Sequence, residues 1–226
     1  MSPAQTARRR VVITGAGAVT PLGLDAESTL ESLVAGRSGV REITQFDAST
    51  YPVRIAGTVP VEDARTLVPD VAEAELLSRQ GAFGVAAGLE ALRRSGLPAA
   101  RDEDEADRRT VVVGATAGRP DLQEMAEFFH RVKSELPLHR PLIEDVLRRD
   151  QNIPAAVLAR EAGFRGAVES VSTACTASGH AIGEAFRQIQ EGGAGGRADE
   201  VAVAQIDHAG TGRAVDGEGS RPGAGI

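Results

Sequence analysis

Tryptophan is absent from this chain of 226 residues, and aromatic side chains make up only 3% of it. Binding of nucleic acid by stacking needs exposed aromatic platforms, so that class is disfavoured from the outset. Clustered cations are scarce as well. The formal net charge is −7, opposite in sign to a phosphate-binding surface. Lysine occurs once, at Lys133, the other basic residues being arginine, and this bias carries no functional reading. No apolar run approaches the ~20 residues of a membrane span, and the basic cluster Arg8–Arg10 is followed only by a short apolar stretch broken by glycine. Neither a signal peptide nor a membrane anchor is expected. With a single cysteine, Cys175, no internal disulfide can form, and a reducing, cytoplasmic compartment is the default.

What is present is an alternation of short apolar runs with helical periods, at a length that suits one substantial α/β domain or two small ones. VVITGAG at Val11–Gly17 reads as a buried strand entering a glycine-rich turn. Asp25 is a plausible N-cap for a helix carrying Leu30, Leu33 and Val34 and ending at Gly36. A short strand is expected in RIAGTV, Arg54–Val59. A long helix follows in LLSRQGAFGVAAGLEALRRSG, stopped by Gly96 and Pro98. Its small residues Gly81, Gly84, Ala87, Gly88 and Ala91 predict close packing against a neighbour. The acidic run Asp102–Asp107 reads as a solvated loop. Further strands are expected in RTVVVGATAG, in Ala167–Thr173 and in Val201–Ala204, with helices over Pro154–Ala162 and Ala181–Gln190. Residues 121–150 are charged and helical in period. Gln205–Ile226 is rich in glycine without apolar period and reads as an irregular tail.

A strand running into a glycine-rich turn raises the possibility of a nucleotide site. The dinucleotide fingerprint needs three glycines so that the backbone can approach the pyrophosphate. Gly15 and Gly17 fit, but Thr20 stands at the third position and Pro21 follows it. The short-chain reductase turn fails too, with Val19 and Pro21 where glycines belong. The Tyr-x-x-x-Lys pair of those enzymes cannot exist when Tyr51 and Lys133 are the only residues of their kinds. No glycine precedes a lysine, so a P-loop is excluded. No cofactor and no metal are expected.

The informative segment is VESVSTACTASGHAIGEAF. Cys175 stands between an apolar strand and a helix, where unpaired N–H groups and the macrodipole favour a thiolate. Its neighbours Ala174, Thr176, Ala177, Ser178 and Gly179 are small and leave room for a substrate. Backbone N–H groups at such a turn can stabilise an oxyanion, which makes acyl transfer the natural chemistry. A lone cysteine is more often a small buried hydrophobe. Strand, tight turn, small flanks and helix together argue against that reading.

TACTAS resembles the nucleophile motif of the β-ketoacyl-[acyl-carrier-protein] synthases, the elongating condensing enzymes of fatty-acid and type II polyketide synthesis. RRVVITGAGAVTPLG is similar to that family's opening, whose glycine-rich turn is structural. The likeness continues through STLESLVAGRSGVREITQFDASTYPVRIAG, GAFGVAAGLEALRRSGL, VVVGATAG and NIPAAVLAREAGFRG to about Ala204. It implies a thiolase-like αβαβα sandwich of which this chain, over 1–204, matches the N-terminal half, with 205–226 outside it. The cysteine distinguishes it from chain-length-factor partners.

The resemblance further implies that Cys175 accepts an acyl chain from acyl carrier protein and that malonyl-carrier protein is then condensed onto it. A backbone N–H serves as oxyanion donor. Thr116 and Ala117 fall at the acyl pocket, Ala117 where the family often has a bulkier gate. Arg79 and Arg140 are weak candidates for docking the carrier, since Glu73 and Glu75 stand where relatives place basic residues. The family's two histidines and lysine come from its C-terminal half, and His130, His139, His180 and His208 do not replace them. The tail composition suggests a truncation or frameshift near Ala204, or a natural half-protein. A homodimer, or a heterodimer with another condensing-enzyme subunit, would cover the apolar faces so exposed. The alternative is a non-catalytic half-synthase that only binds such a partner.

Overall fold

A computed structural model of the chain describes residues 10–45, 47–115, 122–137, 150–191 and 200–206. Its centre is β3 (Arg109–Ala115), which pairs in parallel with β4 (Val168–Val171) on one edge and β5 (Glu200–Ile206) on the other. Val111 stands opposite both Val168 and Ala202 in that register. An unbroken apolar run such as TVVVG is what a parallel strand covered on both faces requires, and β3 is buried along its whole length.

Alternation along β3 assigns its two faces. Val111, Val113 and Ala115 pack with Ala155, Leu158 and Ala159 of helix α5 (Asn152–Glu161) and with Leu89 and Leu92 of α2 (Arg79–Ser95). Thr110 and Gly114 meet helix α6 (Ala177–Glu191) on the other face. Helices therefore flank a parallel sheet on both sides, as the sequence alternation implies. A second apolar cluster joins Ala64 and Val68 to Ala82 and Val85 of α2 and Val157 of α5. Helix α1 (Ala26–Val34), the ribbon β1 (Val40–Glu42) with β2 (Ile55–Gly57), α3 (Glu103–Asp107) and α4 (Leu122–Lys133) are the remaining described α-helices and strands.

Caps form where the sequence places them. Asp25 Oδ1 accepts the Ser28 N–H at 2.7 Å, and Gly96 closes α2 at φ 67°, where a Cβ would be strained. The small residues of α2 do admit close neighbours. A Cβ built on Gly88 would lie 2.7 Å from Leu158 Cδ2, and Cβ atoms on Gly15 and Gly17 would strike the carbonyls of Ala91 and Ala87. The opening glycine turn is thus a seat for the chain against α2. Glu90 fixes it there, its carboxylate accepting the N–H of Ala18 at 2.9 Å and of Ala26 at 3.0 Å.

Three expectations are corrected. Val11–Thr14 pair with no described strand, and Ile13 is 89% exposed. An apolar run signals an extended backbone, but a ladder also needs a free edge beside it, and the glycines hold this segment to a helix. Asp102–Asp107 is not a loop: α3 (Glu103–Asp107) forms there, capped by Asp102, whose carboxylate accepts the Glu105 N–H at 2.8 Å. Acidic residues in a first turn are favoured by the helix dipole, so this charge run is a helix start. Finally β5 extends past Ala204, with Gln205 opposite Gly114 and Ile206 opposite Ala115.

Glu105 is the electrostatic hub of this end. Hydrogen bonds from the Arg101 backbone and side chain, with the charges of Arg101 and Arg109, hold its carboxyl at about 2. Arg109 is buried, donating to the Pro98 carbonyl at 2.7 Å and Glu105 Oε1 at 2.9 Å, with its guanidinium over the Phe164 ring. A depressed carboxyl stabilises the fold above its unfolded value of 4.5 and loses that contribution as pH falls through the folded value of about 2. Urea midpoints measured from pH 7 to pH 2 are therefore expected to fall less steeply between 4.5 and 2 in Glu105→Gln than in the native chain.

Packing and propensity oppose each other at Gly88. Ala in place of Gly gains up to ~1 kcal/mol of helix propensity, whereas overpacking costs about 1–3 kcal/mol. Leu158 is fully buried and has little freedom to retreat, so Gly88→Ala is expected to lose about 1 kcal/mol net in urea unfolding. Gly183→Ala on α6, where a Cβ meets nothing within 4 Å, should gain stability in the same assay.

Candidate active site

Strand β4 ends at Val171, and the chain reverses through Ser172 and Thr173 into a 3-10 turn, Ala174–Thr176, that runs directly into α6. Helical structure after the cysteine thus begins earlier than the Ala181 start expected from periodicity. Ala174 is left-handed, at φ 52°, which costs a residue with a Cβ about 1–2 kcal/mol. Such strain persists only where the surroundings impose it. Cys175 follows, a free cysteine exposed to solvent, and Thr173, Ala174 and Thr176 beside it are exposed too. The reading of a buried structural cysteine is excluded by this placement.

Two contacts fix the helix that carries the turn. At its N-terminal end the Ala177 carbonyl would lie 2.6 Å from a Cβ on Gly114, so only glycine lets α6 come down onto β3 there. Near its other end Gln188, although polar, is buried. It accepts the Thr110 hydroxyl at 2.9 Å and donates to Glu169 Oε1 at 3.0 Å, tying α6 to β3 and β4 together. Between them Ala177, Ala181 and Ala185 are buried against the sheet. The outward face of the same helix carries Ile182 and Phe186, 57% and 45% exposed.

Around the cysteine, Thr176 N–H and Oγ1 both donate to the Thr173 carbonyl, at 3.3 and 2.8 Å. Thr173 Oγ1 lies 2.8 Å from His180 Nδ1. Thr173, Gly114 and Gln188 were not singled out from sequence. The legible signals were a glycine inside an otherwise solid apolar strand and a glutamine on the inward stripe of an alanine-rich helix face.

The remaining expected residues separate. Arg79 does not face outward as a free cation. Its guanidinium donates to the carbonyls of Glu62 at 2.7 Å, Val61 at 2.6 Å and Val59 at 3.2 Å, with the Phe83 ring 5.2 Å away. This geometry gives a carrier-docking role no support. Glu73 is paired with Arg160. His130 is exposed on α4, apart from the turn in sequence. Thr116, Ala117, His139, Arg140 and His208 lie outside the described residues. Among the described residues no three His, Cys, Asp or Glu side chains gather to hold a metal ion, and no helix is long and apolar enough to cross a membrane.

The arrangement offers an exposed sulfur on a strained turn at the start of a helix, over a parallel sheet. A bulkier residue 114 would lift that turn. Gly114→Ala is expected to slow alkylation of Cys175 by iodoacetamide several-fold while the far-ultraviolet circular dichroism stays close to native. An unchanged rate would mean that the seat of α6 does not govern the sulfur.

The chain is similar to known proteins over most of its length. The family described as beta-ketoacyl synthase, N-terminal domain, matches residues 8–203. The 3-oxoacyl-[acyl-carrier-protein] synthase 2 of Vibrio cholerae serotype O1 is 34% identical over 198 residues, covering 83% of this chain and 44% of that protein. The protein of the same name from Synechocystis is 32% identical over 208 residues, covering 90% and 48%. The chain thus spans about half the length of the curated relatives it matches. Among solved structures, the ishigamide ketosynthase/chain length factor superposes with a TM-score of 0.65 at 28% identity, over 82% of this chain and 45% of that one. A type II PKS acyl-carrier protein in complex with its ketosynthase bound to the hexaketide gives 0.57 at 26% identity, over 82% and 43%.

Proposed function

This chain belongs to the β-ketoacyl synthase family, matching its N-terminal domain within a thiolase-like αβαβα fold, and we propose that it carries the acyl-acceptor step of a β-ketoacyl-[acyl-carrier-protein] synthase on Cys175. The observation that carries this reading is the placement of the cysteine: exposed, on a strained turn between β4 and α6, within the matched residues. Acyl carrier protein is the donor. The Cys175 sulfur attacks the carbonyl carbon of the acyl thioester, and a new C–S bond forms while the carbonyl oxygen takes the negative charge. The Cys175 backbone N–H, at the start of the helical turn, acts as oxyanion donor. Collapse of the intermediate breaks the bond to the carrier's sulfur, which leaves as a thiol with the proton that Cys175 gave up.

Chain extension completes the reaction. Malonyl-carrier protein loses carbon dioxide, the carbanion attacks the Cys175 thioester, a C–C bond forms as the C–S bond breaks, and the Cys175 thiolate so released takes a proton from water. By family resemblance this half of the chemistry uses two histidines and a lysine of the C-terminal half. Thr116 and Ala117 are proposed to line the acyl pocket, and Arg140 remains a proposed carrier contact.

The bare apolar face of α6, with Ile182 and Phe186, supports a second reading. In it the chain is a non-catalytic half-synthase that pairs with a condensing-enzyme subunit, or with its own copy, to cover that face.

Intact mass spectrometry after incubation with an acyl thioester separates the two. One acyl mass on the native chain and none on Cys175→Ala is expected. Equal labelling of the Ala variant would overturn the acceptor assignment. No labelling, together with a stable complex formed with a full-length synthase, would favour the partner reading.

A further inference from the structure

Three hydrogen bonds meet at Thr173, the residue two before the sulfur. Two of them come from Thr176 and close the 3-10 turn on itself. The third is different in reach: it joins the Thr173 hydroxyl to His180 Nδ1, on the first turn of α6, at 2.8 Å. Between these partners lies Ala174 at φ 52°, the one residue of the segment that an unconstrained chain would move out of its left-handed conformation. The turn alone does not require His180. The Thr173–His180 bond adds a staple from the strand side of the turn to the helix side.

We infer that His180 is a positioning residue for Cys175, acting through Thr173 to hold the turn that presents the sulfur. The inference rests on the reading of Cys175 as acyl acceptor. With the staple in place, Ala174 keeps its conformation and Cys175 stands exposed at the entrance to the helix, where charge developing on a substrate oxygen meets backbone N–H groups. Without it, Ala174 relaxes and the sulfur departs from that position for part of the time. His180 itself touches neither substrate nor sulfur in this scheme. Its ring matters for one nitrogen, Nδ1, and for either direction of the hydrogen bond, since hydroxyl and imidazole can each donate or accept.

The test uses the full chain with Thr173→Val, His180→Ala, their double variant, and His180→Asn, whose amide can reach the position of Nδ1. Two rates are read for each: alkylation of Cys175 by iodoacetamide and acylation by an acyl thioester. The thermal midpoint is recorded alongside. Both single losses are expected to slow the two rates about fivefold, the factor of a hydrogen bond of typical net worth. The double variant should be no slower than either single one, because both remove the same bond, and His180→Asn should stay within twofold of native. Multiplying effects in the double variant would overturn the inference. So would a native rate in His180→Ala, an Asn variant as slow as the Ala variant, or rate losses that only track a falling midpoint. A native chain that is alkylated but never acylated would sink the acyl-acceptor reading, while the alkylation cycle would still report on the staple.

Discussion

Residue 114 has room for a hydrogen where any other residue would bring a carbon into the Ala177 carbonyl, and much of the molecule is arranged around that restriction. It lets α6 descend on β3 at its N-terminal end. The alanines at 177, 181 and 185 keep the approach close along the helix, and the buried hydrogen bonds of Gln188 with Thr110 and Glu169 fix its rotation at the far end. A buried glutamine would be costly without partners, so these bonds select one register of helix over strand. With register and height fixed, the turn between β4 and α6 has little freedom. It is completed with Ala174 in a left-handed conformation, and the Thr173–His180 bond spans that residue. Packing some distance away from Cys175 therefore sets the frame within which that local bond acts.

The same logic explains why the opening glycines are not a phosphate cradle. A phosphate site needs backbone N–H groups turned toward open space at a helix start. Here Gly15 and Gly17 are pressed on the carbonyls of α2, and Glu90 takes the N–H groups of Ala18 and Ala26. A carboxylate occupies the place in the hydrogen-bonding scheme that an anionic ligand would fill. Glycine pattern alone is a weak sign of function because close helix approach and ligand approach ask for the same missing side chain.

Much of the fold was legible because its strongest signals are local. The solid apolar run of β3, the caps at Asp25 and Gly96 and the small-residue stripe of α2 each state a local preference that packing then accepts. The cysteine was legible for the same reason: strand, small residues and helix surround it within a dozen positions. What escaped depends on particular side-chain partners, near or far in sequence, that composition and periodicity do not report. Whether Val11–Thr14 pairs is decided by what lies beside it, and a five-residue helix at Glu103–Asp107 is decided by a cap and two arginines against a composition that reads as loop. Arg79 could be named as a cation, yet its three carbonyl partners lie 17 to 20 residues away and are invisible to a motif. The Thr173–His180 bond escaped because helical spacing from Cys175 turns His180 away from the sulfur, and the ring's real partner is on the other side of the turn.

Helix α6 is apolar on both sides, but unequally. A helix on the surface of a domain puts its large apolar residues inward and polar ones outward. This one presents alanines to the sheet and Ile182 and Phe186 outward, with Gly179 and Gly183 beside them open to space. Burying an isoleucine or phenylalanine side chain gives about 1.5–3 kcal/mol, so a helix that reserves both for its outer face is built for an inner layer, with a second wall beyond it. That is the place of a central helix in a sandwich of alternating helix and sheet layers, and it agrees with a match to roughly half of each longer relative. The turn that carries Cys175 lies at the N-terminal end of this helix. A wall that covers Ile182 and Phe186 would run along the same helix whose first turn follows Cys175.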